Sequence, residues 1–163
     1  MKIAGSIFLF STFLTIGCTH KNLPGNYYHN FGQQLLLKAD STFEFQSRFD
    51  LSSSWSNGKW SYRKDTILLF NIPIYDTFAL SYGTKLDTLI MSADTKAERL
   101  DNSGYISTLL SGGGQNRTSI PTKLLIKNGD LYEIDSTGNE VRNNLYDPFR
   151  QGYYSTRYYK TNK

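Results

Sequence analysis

Residues able to do chemistry are scarce in this chain. Cys18 is the only thiol, and His20 and His29 are the only imidazoles. A hydrolase of the Ser-His type needs a base beside its nucleophile. Both histidines precede the main run of alternating sequence, where surface imidazoles are expected, and no Gly-x-Ser-x-Gly occurs. Asp130, Glu133 and Asp135 lie close together, but no loop nearby supplies the remaining ligands of a metal cage, so a solvated hairpin face is expected there. The sequence implies no metal and no cofactor. Two acidic residues meeting in space, as in glycoside hydrolysis, stay open as an alternative because the chain has 14 Asp and Glu and spacing singles out no pair. Tyr153, Tyr154, Tyr158 and Tyr159 would then stack on sugar rings. The glycine run Gly112 to Gly114 leads into Arg117, Thr118, Ser119 and Pro121. That favours extended chain over a phosphate cradle, and a loop that could act as a lid is expected.

The lone thiol has its own context. Met1 and Lys2 precede an apolar run from Ile3 to Ile16, then Gly17 and Cys18. A single charge, a short apolar core and a small residue at the cut make residues 1–17 a signal peptide, shorter than the ~20 residues of a spanning helix. The stretch "LTIGC", with Leu14 four and Thr15 three residues before Cys18, resembles the lipobox of bacterial lipoproteins. That resemblance implies cleavage after Gly17, lipidation of Cys18 with palmitate among the acyl chains, and attachment to a membrane of the cell envelope. Thr19 follows and "CTHKN" holds no acidic residue, which implies the outer membrane, facing the periplasm. A lipidated Cys18 leaves no thiol for a disulfide, a nucleophile or a metal.

Residues 18–25 then read as the lipidated Cys and its tether, and 26–163 as a single β domain. Lys and Arg number 18 against 14 acidic residues. No run of five basic residues occurs, so nucleic acid is not an expected partner. Aromatics make up 15% of the chain, the usage of a β-sheet protein.

Strand signals are dense. "TFEFQSRF" alternates, with Phe43, Phe45 and Phe49 on one face and Glu44, Gln46 and Arg48 on the other. Asn57-Gly58 predicts a two-residue hairpin turn, because a type I′ turn needs φ > 0 at both central residues. It would place Trp55 opposite Trp60 and Ser53 opposite Tyr62. One apolar face would then carry Phe43, Phe45, Phe49, Trp55, Trp60 and Tyr62, as core or, for Trp55, Trp60 and Tyr62, as a ligand platform with Trp55 at the rim. Lys64-Asp65 and Asn128-Gly129 read as further turns, the latter pairing Ile126 with Leu131 and Leu125 with Tyr132. "TILLF" reads as a strand covered on both faces, and "TFALSY", "DTLIM", "YISTLL" and the Tyr153–Lys160 tail as more strands. The polar piece "SADTKAERLDNSG" has room for a short helix. The fold class expected is all-β: an antiparallel meander of about 8–10 strands, closed as a lipocalin-like barrel or folded as a sandwich.

"GNYY", "LLLKADSTFEF" and "GKWSY…DTILLF", between Leu23 and Phe70, resemble the small lipocalin-like barrel lipoproteins of bacteria. The resemblance implies a barrel that binds an apolar small molecule or takes part in envelope assembly or stress. The expected function is therefore a non-enzymatic binding or assembly module for an apolar or amphipathic ligand or another envelope protein. The alternatives are an envelope glycan hydrolase, or an accessory subunit whose terminal "YYSTRYYK" is an exposed edge strand.

Overall fold

The computed structural model describes residues 22–50, 52–79, 87–111, 113–115, 120–141, 146–148, 151–153 and 155–161. The leader, His20 and the predicted lipidation site Cys18 lie outside the described residues, as does the side chain of Phe49.

Five strands run consecutively: β1 (Gly25–His29), β2 (Gln33–Leu37), β3 (Thr42–Phe49), β4 (Ser52–Arg63) and β5 (Thr66–Asn71). An excursion follows, made of β6 (Tyr75–Ala79), β7 (Asp87–Met91), β8 (Arg99–Leu100), the helix α1 (Asn102–Leu110) and β9 (Gly113–Gln115). The chain then returns through β10 (Lys123–Lys127) and β11 (Asp130–Glu133), makes a small hairpin of β12 (Tyr146–Asp147) and β13 (Gly152–Tyr153), and ends in β14 (Arg157–Thr161).

Strands β1, β2, β3, β4, β5, β10, β11 and β14 form one antiparallel circuit, closed because β3 pairs with β4 and β14 with β1. This is an eight-stranded closed barrel, the barrel form of the expected all-β class. β14 is paired on both sides, by β1 and β11. The tail strand therefore offers no free edge to a partner sheet, contrary to the accessory-subunit expectation.

Alternation decides what lies inside. Tyr27, Leu35, Leu37, Phe43, Phe45, Ile67, Leu69, Leu124, Ile126, Leu131 and Tyr158 are buried in one cluster, each apolar side chain contributing ~1.5–3 kcal/mol by leaving water. In β5 only Ile67 and Leu69 are buried, and Phe70 is exposed. The "TILLF" strand is thus covered on one face rather than two, since nothing among the described residues packs over the barrel wall at Phe70.

The clearest departure from the sequence reading is at Asn57-Gly58. β4 runs straight through it for 12 residues. Gly58 pairs with Phe43 on one side and Asn71 on the other. Its glycine serves close approach, not a turn: a Cβ would sit 2.0 Å from the Phe70 carbonyl oxygen and 2.6 Å from Phe43 Cε1. The positive-φ pair falls instead at Lys64 (φ 48°) and Asp65 (φ 62°), which join β4 to β5, and at Asn128 (φ 55°) and Gly129 (φ 88°), which join β10 to β11. The register expected for the latter hairpin is observed.

Two excursion segments also differ. "YISTLL" lies in α1, not a strand. Asp101 caps it by accepting from the Gly104 amide at 2.7 Å, and Tyr105 stacks on Phe78 with centroids 4.3 Å apart. Gly113–Gln115, expected in a lid loop, pairs in parallel with Ser53–Trp55 of β4. It occupies the edge that β4 exposes once β5 has diverged. Gln115 fastens it further, its amide bonding both the N–H and the carbonyl of Ile74.

A one-residue slip moves every side chain of a strand to the opposite face, whereas a hairpin tip absorbs an extra residue. One glycine inserted between Asn128 and Gly129 should leave cooperative thermal unfolding intact. The same insertion between Asn57 and Gly58 should abolish it, as followed by near-ultraviolet circular dichroism.

Candidate functional site

The barrel has two unlike ends. Strand direction puts Gly25, the 38–41 turn, the 64–65 turn, the 128–129 turn and Thr161 at one end, and His29, Gln33, Phe49, Ser52, Glu133 and Arg157 at the other. The first end is plugged by Leu23, Trp60 and the Tyr27–Lys160 contact. The second is open.

The open mouth encloses about 580 Å³ and is lined by Gln33, Phe45, Ser47, Ser54, Ile120, Thr122, Lys123 and Glu133 among others. Its origin is legible strand by strand. Inward positions that carry Phe, Leu or Tyr lower in the barrel carry Gln33 on β2, Ser47 on β3, Ser54 and Ser56 on β4 and Glu133 on β11 higher up. Short side chains on two adjacent strands leave the space, and an eight-stranded interior holds either its own side chains or one small ligand.

The floor is a polar network. Tyr158 Oη contacts Gln33 Oε1 at 2.6 Å and Glu133 Oε1 at 3.0 Å. Burial, reinforced by the charge and hydrogen bond of Glu133, drives the Tyr158 phenol far above its ordinary range, so it stays a neutral donor. Tyr27, one layer down, is pushed up to about 12 by burial and by Asp130. His29 stacks on Tyr158 at 4.8 Å between centroids, and its Nδ1 accepts from the Phe31 amide, which leaves the proton on Nε2. The His29 ring is held by the Ser155 backbone, while the hydroxyl of Ser56 is buried without a hydrogen-bond partner among the described residues. Such a group is costly unless something satisfies it. His29 is thus a buried lumen residue, not the surface imidazole that sequence suggested. It was missed because its inward direction depends on register with Gln33 and Tyr158.

The three expected ligand residues are not brought together. Trp55 and Trp60 are five residues apart in one continuous strand and so point to opposite faces. Trp60 faces inward opposite Leu69, packs on the core and donates from Nε1 to the Lys38 carbonyl at 2.9 Å. Tyr62 is inward but exposed at the plugged end. With Leu23, Pro24, Ala39 and Ser41 these two line a shallow, mainly apolar hollow of about 470 Å³. Trp55 lies on the outer wall opposite Gln46, its Nε1 bonded to the Ala93 carbonyl at 3.1 Å. It borders a separate groove of about 300 Å³ with Glu44, Gln46, Arg48, Asn57 and Thr95. Trp55 joins the excursion to the barrel, and its expected pairing with Trp60 is replaced by that bond.

Other acidic positions are structural. Asp130, expected on a solvated face, is largely buried, paired with Arg157 at 2.5 Å and bonded to the Lys160 amide. Asp135 closes its own turn by accepting from Thr137 and Asn139. No group of three or more His, Cys, Asp or Glu suited to a metal occurs among the described residues.

A closed eight-stranded antiparallel barrel, plugged at one end and open at the other over a polar floor, is the class that fold and site define. Comparison with protein-family models, curated proteins and solved structures finds no match to this chain.

Burial lowers the pKa of His29 from its ordinary 6.5, with Ser155 backbone opposing in part. The unfolded chain takes up this proton as pH falls through 6.5, while the fold resists it. The stability contribution of neutral His29 is therefore complete above that value and is lost as pH falls through the lower folded one. Between about pH 7 and about pH 5 the melting temperature of the wild type should fall more steeply than that of His29→Gln. Parallel slopes would place the imidazole in water.

Proposed function

We propose that this protein is a lipid-anchored, non-enzymatic binding module of the cell envelope that holds one small amphipathic ligand in the barrel mouth. The observation that carries the reading is the mouth itself: a cavity of about 580 Å³ above a floor in which Tyr158 is bonded to Gln33 and Glu133. Phe45 and Ile120 offer apolar surface. Gln33, Ser47, Ser54, Thr122, Lys123 and Glu133 offer hydrogen bonds in several directions, as ligand sites of this size commonly do.

Binding is a better fit than hydrolysis. The mouth and the outer groove are each lined by one carboxylate, Glu133 and Glu44 respectively, whereas glycoside hydrolysis uses a facing pair. Glu133 is further committed to Tyr158, and Glu44 to Lys38. The alternative of a protein partner draws support from a different place. On α1, Ile106, Leu109 and Leu110 lie at i, i+3 and i+4 and are all exposed, Leu110 by 80%; an apolar stripe of that kind suits contact with another envelope protein.

The anchor is proposed from the sequence, through Cys18 and the leader before it. On detergent phase separation of producing cells, the wild type should enter the detergent phase and Cys18→Ala the aqueous phase. Equal partitioning would remove lipidation from the account. For the mouth, native mass spectrometry of protein purified from its own cells should show a small-molecule adduct that Ser54→Trp, which fills the cavity, no longer carries. An adduct retained in a folded Ser54→Trp variant would put the ligand elsewhere.

A further inference from the structure

We infer that the plugged end of the barrel rests on the lipid surface that carries the Cys18 anchor, with Trp60 and Tyr62 at the headgroup layer and the mouth held away from it. The inference rests on the lipidation reading of Cys18 and adds to it an orientation and a contact surface.

The first argument is where the chain leaves the barrel. Tyr27 Oη donates to the Leu23 carbonyl at 2.7 Å, and Lys160 Nζ donates to the Asn22 carbonyl. Leu23 is itself part of the core cluster. The path out of the fold is therefore pinned at the plugged end, beside Gly25 and Lys160. Only five residue steps separate Leu23 from Cys18, at most about 18 Å of extended chain. The eight residues of β3 span about 27 Å, roughly 20 Å along the barrel axis once strand tilt is included. A tether that short holds the plugged end near the lipid and keeps the mouth from reaching it while the barrel stands upright.

The second argument is the chemistry of that end. The hollow formed by Leu23, Pro24, Ala39, Trp60 and Tyr62 is the most apolar of the three described above, and nothing among the described residues covers it. Trp60 is oriented by its bond to the Lys38 carbonyl, and Tyr62 presents its ring at the rim with 43% exposure. Amphipathic rings of this kind settle at membrane interfaces, where an apolar body and a polar tip are both accommodated.

Charge supports the same occupant. At this end Lys38 and Lys127 are matched by Glu44 and Glu140, and Asp130 is neutralised by the guanidinium of Arg157, which reaches it from the mouth half of β14. Arg63 and Lys64, beside the turn between β4 and β5, are exposed and form no ion pair among the described residues. With Lys160 they face two other carboxylates: Asp40, held by Thr42, and Asp65, which accepts from Tyr62 Oη. The small positive excess favours an anionic lipid surface.

The two tryptophans make the test, since Trp60 lies toward the plugged end of β4 and Trp55 toward the mouth. Full-length lipidated protein would be reconstituted into vesicles of zwitterionic and anionic phospholipid that include a lipid brominated near the headgroup. Trp55→Phe and Trp60→Phe variants isolate each signal. The expected result is that Trp60 loses most of its emission to the bromines while Trp55 keeps its own. Flotation of the vesicles reports anchoring separately. Protein that floats with both tryptophans equally unquenched overturns the orientation but leaves the anchor standing. Protein that does not float overturns the anchor and the inference with it. Hydrogen exchange on the wild type needs no variant: vesicles should slow exchange at the 38–41 and 63–66 turns and leave residues 30–34 unchanged. Protection of those turns that grows with protein concentration in the absence of lipid would assign the hollow to a second copy instead, and overturn the proposal.

Discussion

The structure depends on how little room an eight-stranded barrel encloses. Such an interior is filled by its own side chains or opened to a single small guest, and this chain does each at a different height. Toward the plugged end Tyr27, Leu37, Phe43, Leu69 and Trp60 point inward. Phe43 fits only because its neighbour in β4 is Gly58, where even a methyl group would collide. Toward the mouth the inward positions pass to Ser47, Ser54 and Ser56, and the lumen widens into a polar cavity. One rule of alternation, applied to large residues and then to small ones, yields both the core and the site.

Closure forces the polar network into the interior. β14 must pair with β1 and β11 to complete the circuit, and its second residue, Tyr158, then stands in the lumen between His29, Gln33 and Glu133. A buried phenol needs a partner, and it finds one from each neighbouring side. The same arrangement buries His29, which lowers its pKa and favours the neutral ring. Polar groups kept in the lumen below the mouth give its floor hydrogen-bonding character where the rest of the core is apolar.

Much of the fold was legible in the sequence. The period-two pattern of "TFEFQSRF" gave the inward Phe43 and Phe45, Asn128-Gly129 gave its hairpin and register, and the density of short strands gave the all-β class, with barrel and sandwich both open. Asn57-Gly58 misled because local turn chemistry was read without its packing: glycine allows a turn, but it equally allows two neighbouring strands to close in on a third. That single misreading placed Trp55 and Trp60 on one face, since a hairpin and a straight strand give opposite parity at a spacing of five. α1 is masked in the sequence by β-branched Ile106 and Thr108, and its one local signal is the cap residue Asp101. The mouth could not be read at all, because Gln33, Ser47, Ser54 and Glu133 meet only through long-range register. Serine in an inward strand position is its one local trace.

The most direct measurement of the account is thiol accessibility down β4, in a Cys18→Ala background where an introduced cysteine is the only one. Ser54→Cys lines the mouth and Ser56→Cys lies one inward step deeper, where the lumen is filled. A bulky maleimide should modify the first at a rate close to that of an exposed thiol and leave the second protected until the protein unfolds. Equal rates at the two positions, whether both fast or both slow, would contradict a lumen that is open above Ser56 and filled below it.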